Sequence, residues 1–152
     1  MDEIELIHEA KEEIKRADHL VYVSLKYTRT VDVIKSIIER LINCHEYIID
    51  ALLLKLKTEK KIPAIPPAVT VKCDFIKKYY NDEHLNNYLE FFLLLRKMSK
   101  ANFSRAKEYR RNVTMSLVSE DQVIEIDIDI ITEYYKRTSE LMDYVIDTYF
   151  KK

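Results

Sequence analysis

Glycine is absent from all 152 residues. Glycine is the usual route to positive φ and the residue that lets a backbone approach a phosphate closely. Its absence removes the P-loop, the GxGxxG dinucleotide fingerprint, the GxSxG nucleophile elbow and the EF-hand loop. Tryptophan is also missing, and only two cysteines occur, Cys44 and Cys73. They sit in separate predicted helices with no CxxC spacing and no histidine cluster, so packed, reduced thiols in a cytoplasmic protein are expected. The acidic start (Asp2, Glu3, Glu5) does not read as a signal or transit peptide. The longest apolar runs, such as Phe91–Leu95, are too short to span a bilayer, and no membrane partner is expected.

With 47% hydrophobic and 34% charged residues the chain lies well inside the globular range, and its length suits one domain, 1–152. A net charge of −1 supplies no global field toward polyanions. Usage rich in Ile, Lys, Glu and Tyr, with a single Gln, resembles that of thermophile proteins.

Apolar residues recur at helical spacing through Ile4, Ile7, Ile14, Ala17, Val21 and Leu25, predicting a first helix over residues 2–25. Thr28 or Thr30 then caps a long helix over 31–58. Pro63, Pro66 and Pro67 make residues 59–69 an exposed linker or crossing loop. Helices follow over 70–80, 83–98 and 102–112, with Asn81-Asp82 as a break and Ser99 as a turn. Val113, Met115 and Leu117, then Ile124, Ile126 and Ile128, alternate with polar residues around Ser119–Gln122. That period reads as a small β-hairpin, with an irregular loop as the competing reading. Asp127 or Asp129 caps a last helix of about 20 residues. The expected fold is all-α, an up-and-down bundle of five or six helices with a small β-hairpin before the last. The apolar stripe of the second helix is broad enough to suggest a homodimer through that helix.

Charge is unevenly spread. Residues 96–111 carry seven basic side chains against Glu108 alone, a local +6, and residues 119–133 carry six acids and no base. Phe103 and Tyr109 interleave with the cations, the composition of an RNA- or phosphate-contacting surface. The alternatives are that the two segments pair with one another or form ordinary solvated faces. Arg105, Lys107, Tyr109, Arg110, Arg111 and Asn112 are the candidate binding residues. Adjacent guanidiniums offer planar donor forks to anions and also suit a helix C-terminus. Asn112 is a candidate ligand contact, or the left-handed residue that ends the helix in place of glycine. Tyr22, Tyr27, Thr28 and Arg29 form a second polar aromatic cluster. They either share a pocket with Tyr109-Arg110-Arg111 or simply pack their rings.

A long first helix, a longer second one, a basic Arg-Arg-Asn turn and a last amphipathic helix together resemble the HEPN domain. The resemblance implies an α-helical, usually dimeric domain of the kind found in prokaryotic ribonucleases, toxins and partners of minimal nucleotidyltransferases. That family's catalytic signature is an Arg, often followed by a polar residue, with a His four to six positions on. Arg111-Asn112 matches its start, but Ser116, Leu117 and Val118 stand where the His would fall. The resemblance therefore implies RNA or nucleotide binding without catalysis or cofactor. A protein–protein module without nucleic acid, and a degenerate ribonuclease with Tyr109 as base, are the alternatives. A nucleotidyltransferase is an implied partner.

A second literal match, Arg40 to His45, lies inside the long helix, where the two side chains point about 140° apart. His45 is expected as a packed or partly exposed helix residue, the alternative being a dimer interface that joins Arg40 and His45 from different chains. Glu5 and His8 have the spacing used by di-iron bundles, but such sites need two copies of the motif and two further Glu residues. No metal is expected.

Overall fold

In the computed structural model, which describes residues 1–151, Asp2 opens helix α1 (Glu3–His19). Its carboxylate accepts the Glu5 N–H at 2.8 Å, satisfying one of the orphan donors of the first turn. The helical path runs on through a π-turn, Leu20–Ser24, and a last turn, α2 (Leu25–Tyr27). The wider turn keeps Val21 and Leu25 in the core while Tyr22 emerges 48% exposed.

Thr30 caps α3 (Val31–Thr58), accepting the Val33 N–H at 3.3 Å. This helix is the centre of the molecule, with α1, α4, α5 and α6 packed around it. Ile34, Ile37, Leu41, Ile48, Leu52 and Leu56 have no exposed surface. Each such burial is worth about 1.5–3 kcal/mol. The broad stripe that suggested a dimer is thus covered within one chain.

The proline segment is not simply an exposed linker. Ile62 is buried in it, and Lys60 reaches φ 60 to turn the chain. After α4 (Val69–Tyr80), Asn81 takes the left-handed conformation (φ 47) and ends the helix. Asp82 then caps α5 (Glu83–Lys100), accepting the N–H groups of His84 and Leu85. Ser99 does not turn the chain; α5 continues through it.

The helix expected over 102–112 does not form. Residues Phe103–Ala106 are strand β1, followed by a loop of tight turns to β2 (Thr114–Ser119) and β3 (Gln122–Ile126). Phe103, Ala106 and Tyr109 fall three apart, a spacing that reads as helical. Long-range pairing wins instead: Phe103 faces Leu117 and Arg105 faces Met115 across an antiparallel ladder. The sheet order is β1-β2-β3, all antiparallel. Met115, Leu117 and Ile126 are buried beneath it. Glu120 and Asp121 join β2 to β3 with φ 51 and 63, positive at both central positions as a type I′ turn requires.

Asp127 caps α6 (Ile128–Val145), its Oδ1 accepting the Ile130 N–H at 2.9 Å, and a π-turn (Ile146–Phe150) ends it. The protein is thus mostly helical with one small three-stranded sheet. Among the described residues, no helix is long and apolar enough to cross a membrane.

Candidate anion-binding cleft

The basic segment is held in place from the start of α3. Glu108 Oε2 accepts the Val31 N–H at 3.1 Å, so a residue 77 positions away satisfies a second orphan donor of that helix. The Tyr109 N–H donates to the Arg29 carbonyl at 2.6 Å. Arg105 pairs with Asp32 at 2.9 Å and lies 3.9 Å from Glu108. Lys107 and Tyr109 adopt φ 55 and 65, which a side chain disfavours and which the two clamps enforce. Asn112, expected as the left-handed residue, is not; Lys107 and Tyr109 take that role. Nor does Arg110-Arg111 sit at a helix C-terminus, since the segment links two strands.

This clamping closes one side of a cleft of about 610 Å³. Tyr22, Lys26 and Arg29 form one wall, Arg111 and Asn112 a second, and Asp127, Asp129 and Thr132 a third. Val21, Leu25 and Ile128 lie between them. Of the residues singled out from sequence, Arg111 and Asn112 line the cleft together with Tyr22 and Arg29. Arg105, Lys107, Tyr109 and Arg110 do not line it. Arg105 is committed to its carboxylates, whereas Lys107 and Arg110 stand exposed with no ion pair among the described residues. Tyr109 presents its ring to solvent, 77% exposed. Lys35 and Arg105 lie 4.7 and 5.2 Å from the Phe103 ring centroid.

Among the described residues, the basic and acidic segments meet in one ion pair, Lys97–Glu120. Within the cleft, Lys26, Arg29 and Arg111 have no carboxylate within 4.0 Å among the described residues, although Asp127 and Asp129 line the same space. Arg29 Nε is buried and has no hydrogen-bond partner. A buried donor left unmet costs about 1–3 kcal/mol. Lys26, Asp129 and Thr132 were not singled out from sequence as site residues; they come from α2 and α6, and no local motif links them.

The second Arg–His match is not a site. Arg40 Nη1 donates to both oxygens of the buried Glu13 at 3.3–3.4 Å, a carboxylate shared with Arg16 at 3.1 Å. His45 is fully buried, Nε2 lying 3.1 Å from Thr138 Oγ1, with Tyr88, Phe91 and Phe92 around its ring. Burial, reinforced by Arg137, lowers its pKa from 6.5 to about 3. Cys44 and Cys73 are buried free thiols, and burial pushes both pKa values up. Among the described residues, no three His, Cys, Asp or Glu gather where they could hold a metal ion.

No protein-family model, curated protein or solved structure matches this chain.

Proposed function

We propose that this chain is a non-catalytic RNA- or nucleotide-binding module, HEPN-like in the sense of the resemblance above, that takes a phosphate in the cleft between α2, the 107–112 loop and α6. The observation that carries this reading is the convergence of Lys26, Arg29 and Arg111 without ion-pair partners, one of them with a buried, unmet Nε–H. Guanidinium donors in a partly desolvated cleft suit a phosphate oxygen, and charge-assisted bonds of this kind are about twice as strong as neutral ones. Lys107 and Arg110 extend the positive surface outside the cleft, and the exposed Tyr109 ring is available for stacking on a base. The loop clamped by Glu108 and Arg105 fixes Arg111 in advance, which reduces the ordering cost of binding.

Catalysis is left out of this reading because no histidine stands where the resemblance places the catalytic one. Ser116, Leu117 and Val118 lie on β2, and His45 is sealed in the core.

Filter binding of a single-stranded RNA at two salt concentrations tests the reading. Three to four phosphate contacts give a log–log salt slope of roughly −2 to −3, and Arg111→Ala or Arg29→Ala reduces its magnitude by about 0.7. No affinity at low salt, or affinity indifferent to both substitutions, would end it.

A second reading is a protein-interaction module, dimeric or bound to a nucleotidyltransferase. It draws on Val118 and Val123, which pair across β2 and β3 and are 61% and 67% exposed. Light scattering and co-purification test it; a monomer that retains no partner argues against it.

A further inference from the structure

The cleft is bipolar, and that property limits what fits it. Its cations stand on α2, the following loop and the 107–112 loop, while its carboxylates stand at the start of α6. Three cations and two carboxylates share about 610 Å³, yet none of them pairs with another within 4.0 Å among the described residues. A bare polyanion would satisfy the first wall and be repelled by the second. An uncharged apolar ligand would leave both unmet. The arrangement suits a molecule with an anionic group at one end and hydrogen-bond donors a few atoms away.

The acidic wall accepts hydrogen bonds only. Asp127 spends Oδ1 on the Ile130 N–H, and its other oxygen has no partner among the described residues. Asp129 is exposed and makes no hydrogen bond or ion pair among the described residues. Thr132 donates its hydroxyl hydrogen to the Ile128 carbonyl at 2.7 Å, leaving only lone pairs for a ligand. Vicinal hydroxyls are the donors that a ribonucleotide carries close to its phosphate, and a carboxylate accepting from a ribose hydroxyl is a recurrent solution in nucleotide sites. Tyr22 stands at the same cleft, and Tyr135 holds its ring edge-to-face at 5.8 Å. Tyr135 is itself anchored by its hydroxyl to Asp18 at 2.6 Å. The cleft therefore offers a fixed aromatic surface in addition to its two charged walls.

We infer that the cleft selects ribonucleotides over deoxyribonucleotides, with Lys26, Arg29 and Arg111 on the phosphate and Asp129 and the free oxygen of Asp127 on the ribose hydroxyls. The inference rests on the phosphate-binding reading above and adds the sugar to it. Deoxyribose removes a donor to these carboxylates, and water has to take its place.

Titrations of the full chain with AMP, 2′-deoxy-AMP and inorganic phosphate, followed by calorimetry or amide chemical shifts, test it. AMP is expected to bind roughly 10-fold or more tightly than its deoxy counterpart, the effect of losing one hydrogen bond to a charged group. Asp129 is exposed and is not the cap of α6, so Asp129→Ala should fold normally. That variant should weaken AMP more than deoxy-AMP and so narrow the ratio between them; an unchanged ratio overturns the assignment to Asp129. Arg111→Ala should weaken both nucleotides alike. Equal binding of the two nucleotides to the native chain overturns the ribose assignment and leaves phosphate binding standing. Failure of all three probes to bind overturns both.

Discussion

The Tyr109 N–H donates to the Arg29 carbonyl at 2.6 Å, joining two segments 80 residues apart at the mouth of the cleft. Beside it, Glu108 caps Val31. The turn that carries the unpaired arginines and the start of the central helix therefore hold each other. Glu108→Ala removes a helix cap, worth about 1–2 kcal/mol, and releases the loop. For a chain of this size each kcal/mol lowers the melting temperature by about 2–4 °C. Calorimetry should show that loss, and Arg111-dependent RNA affinity should fall with it; an unchanged melting temperature would mean that the cap contributes nothing.

His45 makes stability depend on pH. In the unfolded chain it titrates at its ordinary 6.5, whereas burial holds it to about 3 in the fold. Below pH 6.5 the unfolded state binds the extra proton, so this contribution is complete above 6.5 and is lost as pH falls toward 3. The slope from this group approaches about 1.4 kcal/mol per pH unit inside that window. Urea melts between pH 4 and 7 should show it, and His45→Gln should flatten the profile while lowering stability at neutral pH.

Asp82 ties the end of the chain to the α4–α5 junction. Its Oδ2 accepts hydrogen bonds from Tyr144 and Tyr149 at 2.7 and 2.5 Å, while Oδ1 caps α5. Burial alone would raise this carboxyl's pKa, but the tyrosine and backbone donors outweigh it and hold the group below its usual value. Asp82→Ala should cost roughly 2–3 kcal/mol, combining a cap with two hydrogen bonds. Chemical denaturation measures the loss, and a cost below about 0.5 kcal/mol would show that the clasp is solvated and idle.

The turn between β2 and β3 runs against its own residue types. Asp121 holds φ 63 beside Glu120 at φ 51. Asp121→Gly removes the Cβ penalty where glycine is preferred and should raise stability by about 0.5–1 kcal/mol. A higher urea midpoint with an unchanged slope is the expected signature. No gain would indicate that Asp121 makes a compensating contact.

Legibility in the sequence followed the range of the interactions involved. The start of α3 was readable because Thr30 stands directly before its apolar run, and its end because three prolines follow. The Asp127 cap is likewise a local signal, whereas Asn81-Asp82 reads only as a break and its cap on α5 emerges in the fold. Residues 102–112 misread because their partner is β2, and no local signal announces the Phe103–Leu117 register. The left-handed positions misread for the same reason: Asn112 has the better propensity, but contacts to Arg29 and Val31 place the strain at Lys107 and Tyr109. In the cleft, Arg111 was visible as half of a basic doublet and Arg29 as part of a polar cluster. Asp129 reads from sequence as an alternative cap of the last helix, and only the fold brings it to the same cleft as the arginines.

The π-turn at Leu20–Ser24 has an evolutionary corollary. Widened turns of this kind hold one residue more than an α-helical turn, as a single-codon insertion into an ordinary helix would leave behind. Deleting one residue there would restore α register and rotate everything downstream by about 100° relative to α1. Lys26 and Arg29 would leave the cleft together, while the Thr30 cap and α3 would have to re-dock. A one-residue deletion at this turn should therefore separate lineages that keep the cleft from those that have lost it, with little change elsewhere in composition.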